Sequence, residues 1–332
     1  MEKVKAVILL SGGLDSSIAA KIIKEQGIDL YALHFTSPFC QCDKDGNCFS
    51  RKLATEINIY FKTILKGPEY IKIVKNPRFG YGRGMNPCID CRIFMFKKAW
   101  EFAKGIGAKF LITGEVVGQR PMSQKYNVIL LIEKQAQLEG KILRPLSAKI
   151  LPPTEAEIQG WVNRNELLSI QGRTRKEQLS FADKYSVKGF SCPAGGCLLT
   201  VKQFVRKLKD LFLHKKNITQ KDILLLKVGR HFRYKTGKLI VGRNEMENKI
   251  LELHKHLKDY IFRARDFKGP VTILQGRKTT SAIDFAAKIT GLYSDCKKNE
   301  NVTILYGIKE PFKQTSILPL MQEQSAKYNI SL

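Results

Sequence analysis

Apolar positions first occur as a continuous run of strand length at residues 5–10, followed by a polar glycine segment at 11–17 and an apolar-rich stretch at 18–23. That order predicts strand, glycine loop, helix. Gly27 closes the helix, residues 29–35 form a second apolar strand, and 50–57 carry a helical pattern. The alternation predicts a parallel sheet with helices on its faces. Residues 68–84, rich in Gly and Lys, predict a mobile loop, followed by a helix over 92–104 that Gly105 and Gly107 terminate. A strand at 109–113 continues the βα rhythm, which runs to about residue 150. Pro145, Pro152 and Pro153 then break it, and a helix is expected from 154–155 to the segment 172–175. Beyond residue 200 the pattern predicts a basic helix at 201–216 and a strand at 228–233 with a turn at 235–238. A strand at 271–274, a helix at 281–289 and a strand at 302–306 follow. The expected fold class is therefore α/β, with a parallel-sheet domain over residues 1–200 and a smaller basic α+β region over 201–332.

A length of 332 residues and a hydrophobic content of 43% suit two globular domains rather than a disordered chain. No apolar run approaches the ~20 residues of a membrane span, and the N-terminal apolar stretch is too short for a secretory signal. A cytoplasmic protein with no membrane partner is expected. Net charge changes the picture most: it is +27, and residues 201–332 carry 27 basic against 12 acidic side chains. Such an excess implies a polyanionic partner. A general lysine bias is the bland alternative.

The loop Ser11-Gly12-Gly13-Leu14-Asp15-Ser16-Ser17 joins a buried strand to a helix. Backbone N–H groups and a helix N-terminus then point at one spot, which favours a phosphate. Gly12 and Gly13 permit close approach, and Ser11, Ser16 and Ser17 add hydroxyls. The lysine of a Walker P-loop is missing, and the spacing is not that of dinucleotide folds. Asp15 suits a magnesium-linked role.

Eight cysteines without a secretory signal point to metal binding or thiol chemistry rather than a disulfide framework. Cys88 and Cys91 form a CxxC, Cys192 and Cys197 a CxxxxC, while Cys40, Cys42 and Cys48 cluster and Cys296 stands alone. The 40–48 cluster is a candidate zinc clip without an evident fourth ligand. Of the histidines, His34 reads as core or nucleotide-adjacent, and His231, His254 and His256 as structural or solvated; none is assigned a catalytic role.

The loop at 11–17 matches the SGGxDS signature of the PP-loop ATP pyrophosphatases, with their adenine nucleotide α-hydrolase-like fold. That resemblance implies ATP and Mg2+ as co-reactants and adenylation of a carbonyl oxygen, with Gly114 also at the nucleotide. Within this superfamily Asn86-Pro87-Cys88-Ile89-Asp90-Cys91 resembles a segment of the tRNA 2-thiouridylases, whose catalytic cysteine falls on Cys91. Gly195-Gly196-Cys197 lies where those enzymes carry their second, persulfide-bearing cysteine. Gly114-Glu115-Val116-Val117-Gly118-Gln119 resembles a motif of the tRNA 4-thiouridine synthetases. The implied activity is tRNA uridine thiolation, with Asp15, Cys91 and Cys197 as catalytic residues. Cys88, Cys91 and either Cys192 or Cys197 also resemble the ligand set of iron–sulfur thiolases, which hold a [4Fe–4S] cluster. Structural Zn2+ on the same four cysteines is a further alternative. No rhodanese-like segment is read, so sulfur is expected from a separate donor such as a cysteine desulfurase.

Segments around 269–276, 281–289 and 302–307 resemble the RNA-binding domain of NFACT proteins, placed at 262–332, which implies tRNA or another structured RNA as partner. Arg230, Arg233, Lys235, Lys238, Arg243, Arg263, Arg265, Lys268, Arg277 and Lys278 supply phosphate contacts, and Phe232, Tyr234 and Phe262 are candidates for base stacking. Two rivals remain: a PP-loop ligase making an amide or amidine, with no need for Cys91 or Cys197, and a non-catalytic RNA-binding protein.

Overall fold

A computed structural model describes residues 3–41, 48–185, 187, 197–297, 300–310 and 312–331. The chain divides into two compact units, Met1–Leu198 and Leu199–Leu332.

The first unit begins β1 (Lys5–Leu9), α1 (Leu14–Glu25), β2 (Asp29–Thr36), α2 (Phe49–Glu56), β3 (Tyr60–Leu65). It continues α3 (Pro68–Lys75), α4 (Cys88–Gly105), β4 (Phe110–Thr113), α5 (Tyr126–Ala136) and β5 (Ile142–Leu143). Its strands pair in parallel in the order β3-β2-β1-β4-β5. Along β1, Ala6 and Ile8 belong to one apolar cluster and Val7 and Leu9 to another. Successive strand side chains point to opposite faces, so both faces are covered, as parallel sheets require. The order reverses at β1, and ligands of open parallel sheets gather at such a point beyond the strand C-termini.

Three expectations are corrected. The stretch after Pro68 is not all loop: α3 opens with Gly67 as cap and Pro68 in the first turn, and buries Tyr70, Ile71 and Val74 on one face. Next, α4 starts at Cys88, four residues before the expected Arg92, which puts both CxxC cysteines in or beside its first turn. Finally, the helix expected from 154–155 to 172 is only α6 (Glu155–Ile158), with a short 3-10 turn at Arg164–Glu166 and then α7 (Lys176–Lys184). Gly160, at φ +68°, turns the chain out of α6, and the Asn163 side chain caps the 3-10 turn.

The second unit runs α8 (Lys202–His214), α9 (Gln220–Leu225), β6 (Arg230–Tyr234), β7 (Gly237–Val241), α10 (Glu245–His254) and β8 (Tyr260–Ala264). It ends β9 (Thr272–Gln275), α11 (Thr280–Leu292), β10 (Val302–Gly307), β11 (Lys313–Ile317) and α12 (Gln322–Ala326). The strands make an antiparallel sheet in the order β11-β10-β8-β9-β7-β6, on which α11 buries Phe285, Ala286 and Ile289. Together the units are an α/β domain with a parallel sheet and a smaller α+β region. Among the described residues no helix is long and apolar enough to cross a membrane.

Candidate functional site

The glycine loop shapes an anion site from backbone. Gly12 takes φ +78°, a left-handed conformation that glycine adopts without strain, and Gly13 caps α1 with no side-chain hydrogen bond. The N–H groups of Leu14, Asp15 and Ser16 are those a helix leaves without intrahelical acceptors. The Ser16 and Ser17 hydroxyls donate to the Gly13 carbonyl at 2.9 and 3.1 Å, and Ser16 Oγ accepts the Ser11 N–H at 3.2 Å. Those bonds fix the loop, and the helix dipole adds positive potential.

Gly114, just past β4, closes against this loop. A Cβ there would lie 2.4 Å from Ser16 N and 2.5 Å from the Asp15 carbonyl carbon, both backbone atoms, so only glycine fits. Gln119 Nε2 donates to Asp15 Oδ2 at 3.1 Å, and Arg175 approaches that oxygen at 3.8 Å. Burial raises the Asp15 pKa, opposed by Gln119 and Arg175. Asp15 Oδ1 is buried with no hydrogen-bond partner. An orphaned buried carboxylate oxygen beside an anion site fits a magnesium ligand.

A second layer of charge stands behind. Glu115, 2% exposed, is clamped between Arg92 Nε and Arg144 Nε, each at 3.1 Å, and Arg144 also pairs with Glu133. Burial, and then Arg92, lower the Arg120 pKa.

A cavity of about 510 Å³ opens at the C-terminal ends of β1, β2, β3 and β4, within the usual ~300–1,000 Å³ of ligand pockets. It is lined by Ser11, Gly13, Asp15, Ser16, His34 and Gly114, and also by Cys40, Cys88, Cys91 and Cys197. The glycine loop and the CxxC thiols thus share one chamber. His34 Nδ1 donates to the Leu10 carbonyl at 2.9 Å and lies 3.1 Å from Ser50 Oγ, while its Nε2 is buried with no partner. Burial, followed by Cys91, pushes the Cys88 thiol pKa up, against Arg92 and Arg120. Lys66, 6% exposed, donates from Nζ to Cys91 Sγ at 3.5 Å and lies 4.5 Å over the Tyr70 ring.

Of the expected metal ligands, Cys192 lies outside the described residues, as do Gly195 and Gly196. Among the described residues no three His, Cys, Asp or Glu side chains converge as metal ligands. The expected zinc clip is divided: Cys40 lines the cavity, Cys48 caps α2, and Cys42 lies outside the described residues. Cys40, Lys66 and Tyr70 were not singled out from sequence as parts of this chamber. Their shared signal is position, since each follows the C-terminal end of β2 or β3.

In the second unit many of the expected RNA-contacting cations hold carboxylates. Arg233 makes a bidentate pair with Asp210 at 2.9 and 2.6 Å, Arg243 pairs with Glu247, Arg263 with Glu252 at 2.8 Å, and Arg265 with Asp266 at 2.9 Å. Arg230 lies 4.5 Å over Tyr293. Arg277 is exposed, and Lys278 donates to the Gly276 carbonyl at 2.7 Å. Lys238 is buried, and its pKa is lowered to about 8, chiefly by that burial. The stacking expectation is corrected: Phe232 and Phe262 are fully buried core residues, and Tyr234 stacks on Phe285 at 4.4 Å. His231 is also fully buried, and His256 follows α10 and bonds Asp222 at 2.9 Å instead of sharing a solvated helix face with His254.

Comparison with known proteins adds a second line. Residues 2–149 match the family described as thiamine biosynthesis protein (ThiI), and residues 229–329 match the NFACT protein RNA binding domain. The tRNA-specific 2-thiouridylase MnmA of Clostridium perfringens is 35% identical over 130 residues, covering 34% of this chain and 36% of that protein. A tRNA sulfurtransferase of Desulfurococcus amylolyticus is 27% identical over 146 residues, covering 43% of this chain and 29% of that protein. The chain thus spans roughly a third of the length of these curated relatives. Among solved structures, the U34-tRNA thiolase NcsA from Methanococcus maripaludis with its [4Fe-4S] cluster covers 68% of this chain and 74% of its own. Its TM-score is 0.35 at 17% identity, too slight a likeness to bear on chemistry.

Parallel sheet and glycine loop together give the first unit a PP-loop-like α/β fold. Over residues 2–149 the chain is similar to the ThiI and tRNA-thiolase proteins, and over residues 229–329 it is similar to the NFACT RNA binding domain.

Proposed function

We propose that this protein is an ATP-dependent tRNA thiouridylase. ATP binds with its phosphates at the N-terminus of α1, where Ser11, Gly12, Gly13, Ser16 and Ser17 cradle them and Gly114 keeps the opposite wall close. Asp15 holds Mg2+ through its orphaned oxygen, and Gln119 orients that carboxylate. Attack of a uracil carbonyl oxygen on the α-phosphate releases pyrophosphate and converts the oxygen into a leaving group as AMP. A persulfide on one of Cys91 and Cys197 then attacks the activated carbon, and the other thiol breaks the remaining S–S bond to release thiouridine. Lys66, 3.5 Å from Cys91 Sγ, stabilises a thiolate there. The basic second unit, with Arg230, Arg233, Arg243, Arg263, Arg265, Arg277 and Lys278, holds the RNA through phosphate contacts. A cysteine desulfurase supplies the sulfur.

One observation carries this reading: the nucleotide loop, Cys91 and Cys197 line the same cavity. Adenylation alone requires no thiol there. A [4Fe–4S] cluster on Cys88, Cys91 and Cys192 or Cys197 is the variant in which sulfide replaces the persulfide. The test is reconstitution with tRNA, ATP, Mg2+ and a desulfurase, read by nucleoside mass spectrometry, with iron analysis of anaerobically purified protein. Cys91→Ser and Cys197→Ser should each abolish thiouridine while ATP and RNA binding persist. Undiminished thiouridine from both variants would refute the two-cysteine transfer, ATP cleavage with no thiouridine from the wild type would favour the amide-type ligase, and stoichiometric iron would favour the cluster.

A further inference from the structure

Cys40 stands opposite Cys197. Leu198 N–H donates to the Phe39 carbonyl at 2.9 Å, and Cys40 and Cys197 face each other as an antiparallel bridge pair. Because that bond joins the flanking residues, the two cysteines occupy a non-hydrogen-bonded position, where α-carbons lie about 4.5 Å apart and side chains are closest. A disulfide needs α-carbons ~4.4–6.8 Å apart. Both cysteines line the cavity together with Cys91. Tyr70, 1% exposed, lines the same cavity. Burial, followed by Cys91 and then Cys197 and Cys40, raises the pKa of its phenol. Ser37 Oγ, 3.2 Å from Cys40 Sγ, holds the third thiol in place.

Resting on the thiolase reading above, we propose that Cys40 is a third working thiol, a relay that takes the site's disulfide away from Cys91. Sulfur transfer leaves Cys91 and Cys197 joined. The Cys40 thiolate attacks Cys197 Sγ; the Cys40–Cys197 bond forms as the Cys91–Cys197 bond breaks, and the electron pair of the broken bond stays on Cys91 Sγ. No net oxidation occurs, because one disulfide replaces another. The departing thiolate is stabilised by the Lys66 ammonium at 3.5 Å, and a stabilised leaving thiolate speeds exchange. Cys91 is thereby ready for the next sulfur, and a protein dithiol reduces the Cys40–Cys197 pair.

Two measurements on the full chain decide this. In the first, protein without RNA or nucleotide is oxidised with diamide, alkylated and digested without reductant. A Cys40–Cys197 peptide should be the main cross-link of Cys197 and should vanish in Cys40→Ser. Cross-linking of Cys197 to Cys91 or Cys192 alone overturns the pair. In the second, Cys40→Ser with tRNA, ATP, sulfur donor and a protein dithiol reductant should make one equivalent of thiouridine and stall with Cys91 and Cys197 joined. Sustained turnover at the wild-type rate overturns the relay. An ATP-dependent rise in melting temperature verifies folding of Cys40→Ser, and Cys40→Ala repeats the assay with a smaller, apolar side chain. Absence of thiouridine from the wild type sinks the thiolase reading and the relay together, while the oxidation result still reports on the pair by itself.

Discussion

Gly13 lies in the glycine loop and Gly114 closes against it, yet their substitution by alanine should fail in different ways. At Gly114 the new methyl would sit 2.4–2.5 Å from the backbone of Asp15 and Ser16, and neither partner can rotate away. Overpacking of this kind costs roughly 1–3 kcal/mol. For a unit of 198 residues, at ~2–4 °C per kcal/mol, melting should fall by about 2–12 °C. At Gly13 the nearest atom to a new Cβ is Ser11 Oγ at 3.5 Å, and φ is −92°, so the fold accepts the methyl. The loss at a glycine helix cap is under ~1 kcal/mol. What that methyl would fill is the anion cradle. Thermal melting of the full chain with and without ATP and Mg2+ separates the two. ATP at ~100 times its Kd adds about 2.7 kcal/mol to the wild type, a rise of roughly 5–11 °C. Gly13→Ala should melt no more than about 4 °C below wild type without ATP and lose that rise, whereas Gly114→Ala should melt lower at the start and keep it. A full ATP-dependent rise in Gly13→Ala would refute phosphate binding at the α1 N-terminus. A wild-type melt of Gly114→Ala would refute the close contact of the two loops.

Asp15→Asn should stop pyrophosphate release yet leave the ligand-free protein as stable or more so at neutral pH. Burial raises the folded pKa of Asp15, so its contribution to stability falls as pH rises through the window above the ordinary carboxylate value; the variant should lack that slope in pH-dependent melting. Lys207 is buried beneath the Leu226 and Gly229 carbonyls, and its pKa is lowered to about 8. The unfolded chain binds more protons above that value, so stability should rise from pH 8 towards 10.5, by up to about 3 kcal/mol, and Lys207→Met should flatten the rise in denaturant titrations. Arg277→Ala should weaken RNA binding for all sequences and reduce the salt slope by about 0.7–0.9, whereas Arg233→Ala should chiefly lower stability, because it takes the bidentate partner from Asp210. Filter binding over a salt series, with a parallel melt, distinguishes these two arginines.

The glycine-loop half of the cavity was legible because it is local in sequence. Seven consecutive residues form the loop, and Gly114 announces itself as the residue after an apolar strand. The thiol half was legible only in part. Cys88 and Cys91 are neighbours in sequence, but Cys40 reaches Cys197 through a bridge between distant segments, and no spacing rule links residues so far apart. Grouping Cys40 with Cys42 and Cys48 followed sequence proximity. α3 was hidden because Gly and Lys around it read as a loop, although Tyr70, Ile71 and Val74 have helical spacing behind Pro68. In the second unit, charge counting overstated the surface open to RNA. The +15 of residues 201–332 includes cations already bound to Asp210, Glu247 and Glu252, and burial of Phe232 and Phe262 depends on which strand faces pack against α11.

If one cavity joins adenylation to sulfur transfer, a uracil carbonyl oxygen must leave on AMP. Full-length protein would be reacted for a single turnover with tRNA carrying heavy oxygen at its uracil carbonyls, ATP, Mg2+ and a desulfurase with labelled cysteine. Mass spectrometry of AMP and of the nucleosides then follows both atoms. One heavy oxygen in AMP for each labelled sulfur in uridine is the expected result. AMP of ordinary mass, or heavy AMP with no sulfur in the RNA, would contradict it.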